Sequence, residues 1–289
     1  MSIGLLLILL LAFWGFKQNF PGKQMANTVS VKLSSLTGIP FEIQNFELGW
    51  TKIHTTEIAL RTPKWLARTP DIRLLILEKI ELPFSPIITS GNVGISGKLH
   101  EGTVFVSTGL LKQKKLNISL DGALLERIPL FSIVPYVFVS GALSFSTIIE
   151  NFHALQQQKT KLPEGSLKGK ITDTRIRIAG GTALLDLHIP ELDLTEVQFE
   201  LQLGPKISIK KFQLKGDLEG TIEGSIRLNE KNPQMSLLNL DVRLTPSASL
   251  KQELLSINTL LRSFQCGETI SINIKGPLSR PNFPERNRC

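Results

Sequence analysis

Cysteine is scarce: Cys266 and Cys289 are the only two in 289 residues. Two thiols make neither a zinc site nor a disulfide framework. A bond between them is sterically open and would draw the tail inward, and the sequence does not decide it. Aromatic residues are 7% of the chain, with a single tyrosine. Nucleic-acid surfaces interleave basic residues with stacking rings. Here the 33 Lys and Arg are scattered singly, with Lys112, Lys114 and Lys115 the densest group. The net charge of +8 therefore reads as a solvated surface with no nucleic-acid partner. A tethered basic protein does suit anionic lipid headgroups.

Catalytic signatures are also missing. The chain has no His-Glu-x-x-His or Gly-x-Ser-x-Gly stretch. His54, His100, His153 and His188 lie far apart. The segment Gly91 to Gly97-Lys98 is one residue too long for a P-loop, and Leu99 stands where a magnesium-binding hydroxyl is needed. Asp186, Glu191, Asp193, Glu196 and Glu200 fall at strand-like spacing and read as a wet face; a paired-carboxylate site needs two of them converging in a pocket. The reading is non-enzymatic, with no catalytic, cofactor-binding or metal-ligating residue assigned.

What the chain does have is an apolar start. Ile3, Leu5, Leu6, Leu7, Ile8, Leu9, Leu10, Leu11, Phe13, Trp14 and Phe16 belong to an uncharged run. A membrane span needs about 20 residues, so this run is short. Trp14 and Phe16 suit an interfacial belt and Lys17 can snorkel, which lengthens its reach. A cleaved signal peptide would need a basic n-region and a small-x-small site, and neither is present. The expectation is one uncleaved transmembrane helix in residues 1–20, a β-rich body in 21–282 and a flexible polar tail in 283–289. Lys17, Lys23 and Lys32 follow the run and no Lys or Arg precedes it. By the positive-inside tendency, that distribution argues against export of the body.

Beyond the anchor, Met25, Val29, Leu33 and Leu36 predict a short amphipathic helix ended by Thr37-Gly38-Ile39-Pro40. The period then changes to two. Phe41 and Ile43, Phe46 and Leu48, Ile58 and Leu60, and Leu74 through Leu82 predict successive short strands. Glycine-punctuated strands continue through Val93–Val106, Ile118–Leu120 and Val139–Leu143, and a helix is expected over 145–158 from Ile148, Ile149, Phe152 and Leu155. The second half alternates most cleanly: Leu192, Leu194, Val197, Phe199, Leu201 and Leu203, then Ile207, Ile209, Phe212, Leu214, Ile222, Ile226, Leu240, Val242 and Leu244. Gly216, Gly220 and Gly224 read as strand glycines at bends or close backbone approaches. A helix over Ser249 to Ser263, closed by Gly267, precedes a last strand with Ile270, Ile272 and Ile274. Turns every 8–12 residues or so predict a long antiparallel meander, dry on one face and wet on the other.

This order of features resembles the type II secretion system protein N family of Gram-negative bacteria. The resemblance is carried by the short anchor with Phe20-Pro21, by Ile43-Gln44-Asn45-Phe46-Glu47-Leu48-Gly49-Trp50, by Leu240-Asp241-Val242-Arg243-Leu244-Thr245-Pro246, and by Ile270 through Lys275-Gly276-Pro277-Leu278-Ser279-Arg280-Pro281. It spans nearly the whole chain, by pattern more than by motif. It implies a single-pass inner-membrane protein with its body in the periplasm, assisting the secretion apparatus, with other secretion components as partners and no catalytic residues. Related AsmA-type proteins form long curved antiparallel sheets with an apolar groove that carries lipid, which implies a mainly β fold of that type here.

Two functions follow as expectations. In the first, the body is a scaffold whose strand edges and loops dock secretion components. In the second, the sheet's apolar face holds a phospholipid or lipopolysaccharide-type lipid. Val197, Phe199, Leu201, Leu203, Ile270, Ile272 and Ile274 are the partner or groove candidates. A filled core capped by helices 145–158 and 249–263 favours the scaffold, and an open apolar trough favours lipid.

Overall fold

The computed structural model describes residues 11, 13–37, 40–62, 73–85, 92–109, 115–128, 137–151, 162–178, 190–229, 232, 235–253 and 264–282. The protein is mainly β, built from antiparallel strands joined largely in sequence order. It divides into two compact units, Met1–Lys112 and Gln113–Cys289.

In the first unit, residue 11 and residues 13–18 are helical. Among the described residues no helix is long and apolar enough to cross a membrane, and anchor residues 3–10 lie outside them. Helix α1 (Gly22–Thr37) follows. Strands β1 (Phe41–Ile43), β2 (Glu47–Leu48), β3 (Lys52–Arg61), β4 (Arg73–Pro83), β5 (Asn92–Leu99) and β6 (Gly102–Gly109) pair in the order β1-β3-β4-β5-β6, with β2 also against β3. Helix α1 is fastened to β1 by side chains: Ser30 Oγ donates to the Phe41 carbonyl, and Phe41 N–H donates to Ser34 Oγ at 2.8 Å.

The buried side of α1 is rotated from the expected one. Gly22 and Ala26 are buried while Met25 faces out. The small residues are what permit the approach: a Cβ on Gly22 would stand 1.8 Å from the Phe46 carbonyl oxygen.

The second unit holds β7 (Leu116–Leu124), a 3₁₀ turn (Leu125–Arg127), β8 (Val137–Ile149), β9 (Gly165–Ile178), β10 (Leu192–Leu203), β11 (Lys206–Gly216), β12 (Leu218–Arg227), β13 (Leu237–Pro246), α2 (Ala248–Glu253), β14 (Gln265–Cys266) and β15 (Thr269–Pro277). Their order in the sheet is β7-β8-β9-β10-β11-β12-β13-β15-β14.

One helix expectation is corrected here. Residues 145–149 complete β8, whose partners on β9 run from Val137↔Ile178 to Ile149↔Gly165. Thr147, Ile148 and Ile149 are β-branched, and a full ladder outweighs a weak helical period. Residues 152–158 of that expected helix lie outside the described residues. Helix α2 occupies the start of the expected 249–263 helix, and 254–263 also lie outside the described residues. Gly267 does not close a helix. With φ of +66° it turns the β14–β15 hairpin, where Cys266 pairs with Thr269. Of the expected tail, residues 283–289 lie outside the described residues.

Candidate functional site

Antiparallel register places directly opposed residues on the same face. In the second unit this builds apolar rows across many strands. One row runs Leu120, Phe145, Gly169, Phe199, Phe212 from β7 to β11. A second runs Val197, Leu214, Gly220, Leu244, Ile270 from β10 to β15. A third runs Leu201, Ile209, Gly224, Leu240, Ile274 over the same strands. Between them lies Ile222, Val242, Ile272.

The seven groove candidates therefore share one face, although β11, β12 and β13 separate β10 from β15. Val197 and Ile270 are buried; Phe199, Leu201, Leu203, Ile272 and Ile274 are half-buried. Among the described residues no large side chain is fully buried. Along the rows Leu120, Val197, Val242 and Ile270 are buried and most of the other side chains are half-buried.

The opposite face is a lattice of opposed charges. Lys168 meets Glu200 at 2.9 Å, Lys215 meets Glu196 at 3.1 Å, and Arg175 meets Asp193 at 3.2 Å. Hydrogen bonds from Gln198 and Lys215 hold the Glu196 carboxyl below its ordinary pKa. Three members of the acidic run thus serve strand pairing, since Asp193, Glu196 and Glu200 lie on β10 and each has a cationic partner; Glu191 is exposed just before that strand. Among the described residues no group of three or more His, Cys, Asp or Glu is placed to hold a metal ion.

The glycines sort by what presses on them. Gly220 and Gly224 lie on β12, where a Cβ would stand 2.1 Å from the carbonyl oxygens of Arg243 and Asn239 respectively. Gly216 ends β11 instead, with its own neighbour in the Asp193 carbonyl. All three are points of close backbone approach.

In the first unit, an open hollow of about 580 Å³ lies between the chain before α1 and the β1–β3 region, lined by Lys17, Phe20, Lys23, Asn45, Phe46 and His54 among others. His54 Nε2 lies 3.0 Å from Glu47 Oε2. Trp50, in the β2–β3 turn, stacks on Phe13 with ring centroids 4.8 Å apart, and the Lys17 ammonium sits 5.7 Å from the Trp50 ring centre. Sequence reading missed this cluster as a site; a tryptophan directly after Gly49 was its one visible signal.

Cys266 is disulfide-bonded, and among the described residues no cysteine is free; Cys289 lies outside them. Comparison with known protein families, with curated proteins and with solved structures returns no match to this chain.

Proposed function

We propose that this protein is a non-enzymatic, membrane-anchored β protein that holds lipid acyl chains along the apolar face of its second unit. The observation that carries this reading is the set of aligned Leu, Ile, Val and Phe rows on β7–β15, half-buried for the most part. Side chains in a filled interior would be buried nearly throughout. Aliphatic rows with few rings and no polar handle suit an alkyl chain, which offers methylenes along its length and nothing for a hydrogen bond.

The proposed setting is the inner membrane of a Gram-negative cell, with the body in the periplasm as an accessory of type II secretion. The sequence pattern supports that setting, as does the disulfide at Cys266, since such bonds persist in oxidising compartments. In the scaffold reading the same body docks secretion components at its strand edges. Short edges support it less: among the described residues β1 has 3 residues and β14 has 2, and short edge strands discourage strand addition.

Native mass spectrometry of gently extracted protein tests the lipid reading. Bound phospholipid or lipopolysaccharide-type lipid is expected, and it should be lost in the Leu201→Lys/Ile272→Lys variant. A lipid-free spectrum of the unsubstituted protein would remove the proposal and leave the scaffold. A topology reporter fused after Cys289 tests the setting separately, with activity expected on the periplasmic side.

A further inference from the structure

The β2–β3 turn carries an exposed tryptophan that has no role in the lipid-holding face. Trp50 is 54% exposed, close to Trp14 at 55% and Phe16 at 59%. Its ring meets two parts of the segment that leads out of the apolar run, stacking on Phe13 and lying 5.7 Å from the Lys17 ammonium. In a helix with about 1.5 Å rise per residue, Phe13 lies about 6 Å nearer the apolar end than Lys17. Trp50 is thereby held at the level where apolar side chains give way to basic ones. An indole ring, with its large apolar body and one N–H donor, prefers that level at a bilayer surface.

The turn is also rigid. Gly49 N–H donates to the Lys52 carbonyl at 2.8 Å, and Phe84 N–H donates to the Thr51 carbonyl at 2.9 Å. Lys17 and Lys23 line the adjoining hollow with a single carboxylate, Glu47, which is paired with His54, so the two ammonium groups beside the ring complement phosphate headgroups.

We infer that the Gly49–Lys52 turn is a second membrane contact, with Trp50 inserted in the interfacial layer of an anionic bilayer beside the anchor. The first unit is then clamped against the membrane surface at two points. This rests on the anchor reading of residues 3–16.

The test uses the full-length Trp14→Phe/Trp65→Phe variant, in which Trp50 is the one remaining tryptophan. It is reconstituted in phosphatidylcholine–phosphatidylglycerol vesicles carrying a doxyl quencher high on the acyl chain or, separately, near its end. At least twofold stronger quenching by the shallow label is expected. Equal, negligible quenching by both labels in protein that floats with the vesicles overturns the inference and leaves the anchor standing. Protein that does not float with vesicles removes both. Should the variant fold poorly, the unsubstituted chain gives the same reading. A phospholipid with a diazirine near its glycerol should cross-link within residues 49–52, and cross-links confined to residues 1–16 would overturn the inference.

Discussion

The ring of Phe199 on β10 lies across Gly169 on β9, in the space that a side chain at 169 would fill. A Cβ there would stand 2.4 Å from Phe199 Cζ and 2.8 Å from Phe145 Cβ. The two rings come from the strands on either side of β9, both directly opposed to Gly169. The glycine is the gap that the Phe199 ring fills, and that ring makes up for the packing a glycine lacks. Gly169→Ala must push Phe199 aside and strain β8, at about 1–3 kcal/mol. A chemical-denaturation midpoint measures this, and Gly169→Ala/Phe199→Leu should recover part of the loss.

Gly224 on β12 faces a harder obstacle. Its φ is +127°, and the atom in the way is the Asn239 carbonyl oxygen at 2.1 Å, part of the neighbouring strand's backbone. No rotamer change relieves that contact. Gly224→Ala combines a disfavoured conformation with displacement of the β12–β13 ladder, so a loss of about 2 kcal/mol or more is expected. Thermal unfolding should rank this variant below Gly169→Ala, and the reverse order would show that side-chain crowding dominates.

Most of the strands were legible because their period is two over many residues. Val197 to Leu203 and Leu238 to Leu244 alternate so consistently that only one face can be dry, and a register shift between Leu194 and Glu196 absorbs the break in the pattern before them. Residues 145–149 misled because Ile148, Ile149 and Phe152 also fit a helical spacing. What sequence alone could not show was the unbroken β8–β9 ladder that recruits them, leaving Ile148 on the wetter side at 41% exposure. The face of α1 was off by one residue, because hydrophobicity marked Met25 while the fold needed the smallness of Gly22 and Ala26. The groove candidates on β10 and β15 were found by alternation, but their alignment in common rows depends on register, which local pattern does not encode. The stack of Trp50 on Phe13 is a contact distant in sequence, and no period announces it.

In the first unit, Glu42 of β1 joins two arginines from different strands. Its Oε2 accepts from Arg61 Nε at 3.0 Å, and its Oε1 accepts from Arg73 Nη2 at 3.0 Å. Arg73 also reaches Glu57 at 2.9 Å. The Arg61 hydrogen bond, against partial burial and with the charge of Arg73 beside it, holds the Glu42 carboxyl below its ordinary value of 4.5. A depressed carboxylate pKa stabilises the fold above the ordinary value, and that contribution fades as pH falls through the lower folded value. The side chains are more than a third exposed, so water screens the gain to about 0.5–1 kcal/mol. Glu42→Gln should lower the melting temperature slightly at pH 7, and its curve should converge with that of the unsubstituted protein in strong acid. An equal deficit at every pH would point to a lost hydrogen bond without an ionic part.

The disulfide at Cys266 sits on β14, beside the turn of the β14–β15 hairpin. Further along, Lys275 and Asn282 exchange backbone hydrogen bonds, at 3.0 and 2.6 Å. A covalent link in this region restricts the unfolded chain, a contribution of about 2–4 kcal/mol for typical disulfides. Dithiothreitol should therefore lower the unfolding midpoint. Cys266→Ser should lower it by a similar amount and abolish the response to reductant. A variant that kept the full reductant response would refute the assignment.

The decisive contrast for the lipid reading lies between adjacent residues of β13. Leu240 belongs to the row that ends in Ile274, whereas Asn239 is opposed by Ser225 and Lys275 on the polar face. Leu240 is half-buried and Asn239 exposed. Lysine at either place can extend its stem along the sheet and carry its charge to water, so both variants should fold. Only at 240 does the ammonium enter the surface proposed to hold acyl chains, where an unpaired charge is costly. Leu240→Lys should therefore reduce the amount of co-purified lipid several-fold, and Asn239→Lys should leave it unchanged. Equal loss in both would mean that added charge, and not the apolar face, governs retention. Equal retention would mean that lipid binds elsewhere on the protein.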